Sequence, residues 1–350
     1  MSDAFLAVPG DLAAPTGGYA YARRLLAALP GQGLRASHLA LPGGFPMPTD
    51  EDLAATRAAF AALPPGPPLM VDGLAYGALP AEAIRAAGDR PLVALVHHPL
   101  CLEEGLSDEA AARLRARERA ALGLAHRVVT TSGTTRDLLV RDFGVAAGRI
   151  TVAEPGTDPA PPNPVRPGPA VSLLAVGTLI PRKGYAVLIE ALAPLRGLDW
   201  TLAVAGALDR DPACAAAVRE AAAAAGLGGR VRFLGAVDPV RLDRLYAEAD
   251  LLVSASLFEG YGMALAEGLA RGLPIIATTG GAAAATVPDA AGLKVPPGDA
   301  PALREALRGL VTDPDRRRAA ACASRAAGLA LPRWEDTAAR VASCLREAGR

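Results

Sequence analysis

Short apolar runs alternate along most of the chain with longer segments rich in alanine, leucine and arginine. The longer segments predict helices, for example over residues 19–29 and 107–125. The apolar runs predict buried strands over residues 4–8, 91–96, 127–131, 149–153, 171–176, 200–206, 230–235, 250–256 and 274–278. This alternation of strand and helix predicts parallel sheets of the α/β class.

A proline-rich segment interrupts the alternation near the middle of the chain. Residues 158–170 contain six prolines, a composition typical of a semi-rigid connection. We therefore expect two doubly wound, Rossmann-like domains, one on each side of this segment. Because ligands of such folds bind outside the carboxyl ends of the strands, a cleft between the two domains is the expected site.

Composition and charge narrow the class of protein. With 350 residues, 51% of them hydrophobic, the chain is long enough for two domains with full cores. Lysine plus arginine and aspartate plus glutamate each number 36, so the overall charge gives no argument for nucleic acid. The arginines of residues 113–119 form two pairs that face different ways, which indicates at most peripheral membrane contact.

The cysteines and the N-terminus indicate a cellular location. The cysteines form no C-x-x-C pair, so we expect four buried free thiols in a reducing compartment: Cys101, Cys214, Cys322 and Cys344. The first ten residues do not resemble a signal peptide, and no apolar run reaches the ~18 residues of a membrane span. The sequence therefore predicts a soluble, cytoplasmic protein.

Two glutamates mark the stretch with the most distinctive chemistry, residues 256–278. Glu259 falls in a glycine-rich turn after a predicted strand, and Glu267 falls on the helix that follows. The N–H groups at the helix start, from Gly260 through Tyr261 and Gly262 to Met263, predict a phosphate site. Two carboxylates and a phosphate site would match the hexose, ribose and diphosphate of a nucleotide sugar; a solvated pair of glutamates is the alternative.

The spacing Glu, seven residues, Glu within FEGYGMALAEGLARGLPIIAT resembles the retaining family 4 glycosyltransferases of the GT-B fold. The resemblance implies that Glu259 binds hydroxyls of the donor hexose and that Glu267 binds the ribose hydroxyls. It also implies an acceptor-binding domain over residues 1–160, a donor-binding domain over residues 171–325, and a last helix over residues 326–350 that crosses back to the first domain.

Two cations follow the first predicted strand of the second domain. Arg182 and Lys183 precede a glycine, and adjacent cations at a strand end can neutralise a diphosphate. Family members often have an arginine after the first glycine of this segment, where Thr178 stands here. We therefore assign the anion-binding role to Arg182 together with Lys183; a solvated surface position is the alternative for each.

Glycines and histidines provide candidates in the first domain. Gly17 and Gly18 enter a helix and allow the backbone to approach a phosphate or an acceptor, although a plain turn would look the same. His97 and His98 follow a buried strand and should point to opposite faces. The resemblance implies that a histidine here reaches the donor sugar, and His97 matches that position better; a structural role is the alternative.

The remaining stretches agree with the same resemblance. Gly156 and Asp158 are expected to shape the turn before the linker, and Trp334 lies on the last helix. Residues 281–287 contain no acidic residue, which departs from the common family pattern.

The resemblance implies transfer of a hexose, with retention of configuration, from a nucleotide diphosphate sugar to a hydroxyl of a glycan, lipid-linked or small-molecule acceptor. No D-x-D motif is evident at a strand end, so we expect neither a metal nor a cofactor. Two alternatives stay open: a nucleotide-sugar epimerase or phosphorylase of the same architecture, and a non-catalytic protein that binds sugar nucleotides.

Overall fold

A computed structural model of the chain describes residues 3–163 and 170–349. Six residues of the predicted linker, 164–169, lie outside the described residues, as do the chain ends Met1, Ser2 and Arg350 that the predicted domain limits include. Contacts divide the chain into two compact units. Unit 1 comprises the described residues up to Gly156 and from Pro332 onward, and unit 2 comprises those of Thr157–Leu331.

Unit 1 is built on one six-stranded sheet. Its strands are β1 (Ala4–Pro9), β2 (Ala36–Leu41), β3 (Leu69–Asp72), β4 (Leu92–Val96), β5 (Arg127–Thr130) and β6 (Ile150–Val152). The intervening helices are α1 (Gly17–Ala28), α2 (Asp50–Ala61), α3 (Gly73–Tyr76), α4 (Ala81–Arg85), α5 (Asp108–Leu124) and α6 (Gly133–Phe143). All strand pairs are parallel, in the order β2-β1-β3-β4-β5-β6.

Unit 2 repeats the plan. Its strands are β7 (Val171–Val176), β8 (Trp200–Ala205), β9 (Val231–Phe233), β10 (Leu251–Ser254), β11 (Ile275–Thr278) and β12 (Gly292–Val295). Its helices are α7 (Tyr185–Leu192), α8 (Pro212–Ala224), α9 (Pro239–Glu248), α10 (Met263–Ala270), α11 (Ala283–Thr286), α12 (Ala300–Thr312) and α13 (Pro314–Leu329). The parallel order is β12-β11-β10-β7-β8-β9.

These two parallel sheets confirm the predicted α/β class. Every residue of β4 and of β11 is buried, as expected for strands covered by helices on both faces. Each strand order reverses once: between β1 and β3 in unit 1, and between β7 and β10 in unit 2. Such reversals open a crevice at the carboxyl ends of the two strands, where doubly wound folds bind ligands.

The last helix, α14 (Trp334–Ala348), belongs to unit 1, where it packs on α1. Trp334 lies edge-on to Tyr21 of α1, with ring centroids 5.7 Å apart. Gly156 makes this packing possible, because a Cβ at that position would lie 2.3 Å from the Trp334 nitrogen. Residue 326, the expected start of the last helix, falls inside α13.

Burial differs among the four cysteines. All four are free thiols. Cys101 and Cys344 are buried as expected, whereas Cys214 is half-buried and Cys322 is exposed on α13, so the expectation of four buried thiols is wrong for these two. Among the helices that the structure describes, none has both the length and the apolar character needed to cross a membrane.

Candidate active site

The first candidate constellation lies at the strand-order reversal of unit 1. Residue His97 directly follows β4, Asp72 ends β3, and Gly17 begins α1 after the loop that follows β1. Thr16 caps α1 by accepting a hydrogen bond from the Tyr19 N–H. Carboxyl ends of neighbouring parallel strands thus bring together residues that are far apart in sequence.

The His97 ring lies close to Asp72, Tyr21 and Gly18. Its Nε2 lies 3.2 Å from Oδ2 of Asp72, and its ring meets the edge of Tyr21 at a centroid distance of 5.4 Å. A Cβ added at Gly18 would lie 3.5 Å from the same Nε2, so the first turn of α1 lies against this edge of the ring. We call Gly18, Tyr21, Asp72 and His97 the His97 cluster.

His98 has a different partner. Its Nε2 lies 2.6 Å from Oε1 of Glu103, in the segment that leads to α5. The two adjacent histidines therefore contact separate carboxylates. Only His97 belongs to the His97 cluster.

The second constellation lies at the strand-order reversal of unit 2. Glu259 follows β10 and is only 8% exposed. Its Oε1 accepts hydrogen bonds from Lys183 Nζ at 2.6 Å and from Ser256 Oγ at 2.7 Å. Glu259 is therefore part of an ion pair within its turn. We call Arg182, Lys183, Ser256 and Glu259 the Glu259 cluster.

A tight turn carries the two cations to Glu259. Residues Pro181–Lys183 form one turn of 3₁₀ helix that ends at Gly184, whose φ is 65°. A Cβ at Gly184 would lie 2.0 Å from the Ala255 carbonyl oxygen, so only glycine permits this approach. Arg182 Nη1 donates to the Phe258 carbonyl at 2.8 Å, and the Leu257 N–H donates to the Arg182 carbonyl at 2.7 Å.

A glycine pair supports Glu259 from the other side. The Glu259 N–H donates to the Gly280 carbonyl at 3.2 Å, and Glu259 pairs with Gly281 in an isolated parallel bridge. The φ of Gly281 is 63°, and a Cβ there would lie 2.3 Å from the Glu259 carbonyl oxygen. The backbone of Glu259 is thus fixed on both sides.

Charges around Glu259 keep its carboxyl ionised. Burial acts to raise the pKa of Glu259, but the Lys183 ammonium and the Arg182 guanidinium lower it. Hydrogen bonds from Lys183 and Ser256 act in the same direction, and the pKa ends below its ordinary value.

The start of α10 follows Glu259 directly. Gly262 is the N-cap residue with a φ of 95°, and Met263 is the first helical residue. The Tyr261 side chain is buried, and its carbonyl accepts a hydrogen bond from Thr286 Oγ1 at 2.7 Å. Residues Gly260–Met263 therefore form the predicted helix start beside Glu259, and their phosphate-binding role stays a prediction.

Glu267 lies one turn into α10, within a polar group that the sequence did not predict. Its Oε2 accepts a hydrogen bond from the Tyr246 hydroxyl at 2.7 Å. The Arg271 guanidinium carbon lies 4.6 Å from the Tyr246 ring centroid. Burial raises the pKa of Glu267, although the Tyr246 hydrogen bond and Arg271 oppose the rise.

Each of the two carboxylates has one oxygen engaged and one available. Within residues 3–163 and 170–349, Oε2 of Glu259 and Oε1 of Glu267 accept no hydrogen bond. A carboxylate oxygen can accept from hydroxyl groups. Both glutamates therefore retain an acceptor for a ligand rich in hydroxyls.

Sequence reasoning missed Asp72, Ser256 and Tyr246. Tyr246 falls on α9, a helix of mixed apolar and charged residues, and its contact with Glu267 spans 21 residues. In the sequence, Ser256 is only the last residue of the strand predicted over residues 250–256, which gives it no chemical role. Position relative to the strands was the signal that could have found two of them. Asp72 ends β3 and Ser256 follows β10, and each of these strands flanks a strand-order reversal.

Two family models match the chain, one after the other. The model described as Glycosyltransferase Family 4 matches residues 16–161, and the model described as Glycosyl transferases group 1 matches residues 170–313. The first match includes the His97 cluster, and the second includes the Glu259 cluster.

Curated relatives cover about two thirds of the chain. D-inositol 3-phosphate glycosyltransferase of Rhodococcus opacus (strain B4) is 32% identical over 262 residues, which cover 67% of this chain and 58% of that protein. Glycogen synthase of Mycobacterium tuberculosis (strain ATCC 25618 / H37Rv) is 30% identical over 261 residues, which cover 70% of this chain and 61% of the synthase. The matched region spans about three fifths of the length of these relatives.

Solved structures match over nearly the whole chain. Sucrose-phosphate synthase from Thermosynechococcus elongatus is similar with a TM-score of 0.83 and 24% identity, covering 98% of both chains. Anabaena HepE in complex with UDP-glucose is similar with a TM-score of 0.75 and 18% identity, covering 98% of this chain and 99% of that one. At these identities, the similarity shows a shared fold.

Proposed function

The chain belongs to the glycosyltransferases of group 1 and family 4, with the GT-B fold, and on that premise we propose that it transfers a hexose from a nucleotide diphosphate sugar to an acceptor hydroxyl with retention of anomeric configuration. The observation that carries the proposal is the Lys183–Glu259 ion pair at the strand-order reversal of unit 2. It combines a cation suited to a diphosphate with a carboxylate suited to sugar hydroxyls.

Each part of the donor has a proposed partner in unit 2. The available Oε2 of Glu259 accepts from hydroxyls of the hexose, and the available Oε1 of Glu267 accepts from the ribose. Lys183, Arg182 and the helix start at residues 260–263 bind the diphosphate. The proposal thus assigns donor binding to unit 2 and acceptor binding to unit 1. In unit 1, His97 is assigned to bind a hydroxyl of the sugar.

The reaction breaks the bond between the anomeric carbon and the diphosphate oxygen. The acceptor oxygen forms its bond to the same face of that carbon, and its proton passes to the departing phosphate oxygen. Negative charge grows on the leaving diphosphate in the transition state, where Lys183 and Arg182 stabilise it. No protein nucleophile is required.

Only the relatives indicate which donors and acceptors are candidate substrates. The relatives' names refer to an inositol phosphate, glycogen and sucrose phosphate, and one structural neighbour was solved in complex with UDP-glucose. UDP-glucose and a pool of phosphorylated polyols and sugars are therefore the first substrates to test. Metal independence and a cytoplasmic location remain proposals from the sequence.

A transfer assay tests this function. Purified protein is incubated in EDTA with UDP-glucose or another nucleotide sugar and the acceptor pool, and products are identified by mass spectrometry. We expect a nucleoside diphosphate and a glycoside whose anomeric NMR coupling matches that of the donor. An inverted product would contradict retention, and activity only after magnesium addition would contradict metal independence. Donor interconversion or phosphorolysis, or binding without turnover, would favour the alternative classes.

The two glutamates should differ in what they bind. Glu267→Gln should weaken free nucleoside diphosphate and intact donor alike, because ribose is present in both. Glu259→Gln should weaken only the intact donor and should also lower turnover, since it positions the reacting sugar. We expect losses of about 1 to 3 kcal/mol where a charged hydrogen bond is lost.

Titration calorimetry with UDP and with UDP-glucose measures both effects. Glu305→Gln, on an exposed salt bridge of α12, is the matched control and should bind both ligands as the wild type does. Loss of UDP binding in Glu259→Gln with normal binding in Glu267→Gln would show that the two roles are reversed.

A further inference from the structure

Asp72 is a buried carboxylate to which no motif drew attention. Its side chain is only 7% exposed, and both of its oxygens have protein partners. Oδ1 accepts the Leu74 N–H at 2.9 Å and thereby caps α3, while Oδ2 lies 3.2 Å from Nε2 of His97. The hydrogen bond from Leu74 therefore fixes the orientation of the Asp72 carboxylate independently of His97.

This contact determines where the proton of a neutral His97 ring resides. A carboxylate only accepts hydrogen bonds, so Nε2 of His97 must carry the hydrogen, and Nδ1 is left with a lone pair. Within the described part of the chain, the His97 ring makes no other hydrogen bond. Nδ1 is thus an acceptor with no partner of its own.

Other contacts restrict movement of the ring. The His97 carbonyl accepts hydrogen bonds from the hydroxyls of Thr131 and Thr135, each at 3.3 Å. Tyr21, which lies edge-on to the ring, is itself held by a hydrogen bond of 3.0 Å from its hydroxyl to the Ala153 carbonyl. The backbone and one edge of His97 are therefore fixed independently of Asp72, and the tautomer depends on Asp72.

We propose that Asp72 is the positioning residue for His97. It holds the imidazole in the Nε2–H tautomer, so that Nδ1 accepts a hydrogen bond from a hydroxyl of the substrate. This inference deepens the proposed function and rests on it, because the hydroxyl belongs to the sugar substrate. Asp72 itself does not touch the substrate in this role.

Asp72→Asn separates positioning from folding. The asparagine carbonyl can still accept from Leu74 and cap α3, which places the amide NH₂ toward His97 Nε2. An NH₂ group only donates, so Nε2 must then become the acceptor and the hydrogen must move to Nδ1. The substitution should therefore reverse the tautomer while it preserves the fold.

Nitrogen NMR measures the tautomer directly. Long-range ¹H–¹⁵N spectra of the ligand-free protein at a pH where the ring is neutral should show His97 protonated at Nε2 in the wild type and at Nδ1 in Asp72→Asn. His98, whose Nε2 contacts Glu103, is the internal control and should not change. The same His97 tautomer in both proteins would overturn the inference, and this result does not depend on any transferase activity.

Kinetics test the role of the tautomer. Asp72→Asn should lower kcat for sugar transfer about 10- to 100-fold, by analogy with the loss seen when a metal-bound histidine loses the partner that orients it. Affinity for UDP should stay within twofold, and His97→Ala combined with Asp72→Asn should be no slower than His97→Ala alone. An unchanged kcat in Asp72→Asn, or fully additive losses in the double variant, would overturn the positioning role.

Discussion

Replacing Lys183 with methionine will lower sugar transfer about 10²- to 10³-fold, the cost of removing one group that stabilises charge in a transition state. The same change will lower the free energy of unfolding by about 3 kcal/mol, because it removes the cation that pairs directly with the buried Glu259 carboxylate. That value is the lower end of the range for buried pairs, since 20% of the Lys183 side chain is exposed.

A double variant separates these two effects. Adding Glu259→Gln to Lys183→Met removes the uncompensated charge, so most of the lost stability should return, while transfer should stay low. Urea unfolding measures the stability, and release of nucleoside diphosphate measures the transfer. A double variant as unstable as Lys183→Met, or a single variant with normal turnover, would contradict the electrostatic account of this pair.

The pH dependence of Lys183→Met provides another check on that account. Without Lys183, burial still acts to raise the pKa of Glu259, and a main opposing charge is gone. The pKa of the Glu259 carboxyl should then rise relative to the wild type, although Arg182 and Ser256 still lower it. The stability deficit relative to the wild type should therefore grow as pH rises above the ordinary range of a glutamate, and it should shrink in acid.

Where the sequence predicted the site well, the signal was local. The strand, turn and helix around Glu259 follow one another within 20 residues, and each has its own pattern: an apolar run, a glycine turn and a helical stripe. The structure places α10 at Met263–Ala270 and gives Gly272 a φ of 70°, as expected for a glycine after a helix.

Three strands escaped prediction, for physical reasons. β2 and β12 are edge strands, only partly buried, and therefore tolerate polar residues and glycine that obscure an apolar run. β3 is central and fully buried, but it has only four residues and follows a proline-rich loop. Missing β3 also meant missing Asp72, which is its last residue and the partner of His97.

The sequence pattern could not predict contacts between residues that are far apart in the chain. Lys183 and Glu259 are 76 residues apart, and they meet because β7 and β10 are neighbours where the strand order reverses. Periodicity predicts elements but not which strands pair. Both cationic and acidic candidates were therefore found, while their mutual ion pair was not.

Glu118 of α5 should make the stability of unit 1 fall as pH rises. The side chain is buried, with only 1% exposed, and burial raises its pKa to about 8 despite a hydrogen bond from the Leu100 N–H. Within the described residues, Oε1 of Glu118 is buried without a partner, which suits a protonated oxygen better than a charged one. Leu100 lies three residues after His97, so Glu118 also anchors the loop of the His97 cluster.

The sign follows from comparing the folded and unfolded states. Between the ordinary value of 4.5 and about 8, the unfolded carboxyl loses its proton while the folded one keeps it. The free energy of unfolding should therefore decrease through this window by up to about 1.4 kcal/mol per pH unit, and should level off above it. Glu118→Gln keeps the shape and the acceptor for Leu100 but cannot ionise, so it should remove this decrease.

Urea unfolding between pH 5 and pH 8.5 at constant ionic strength measures the difference between the two proteins. We expect Glu118→Gln to gain stability over the wild type steadily with pH, reaching several kcal/mol at pH 8. Glu109→Gln, an exposed position on the same helix, is the control and should follow the wild-type curve. Parallel curves for wild type and Glu118→Gln would mean that Glu118 ionises normally in the folded protein, with water or a rearranged neighbour satisfying Oε1.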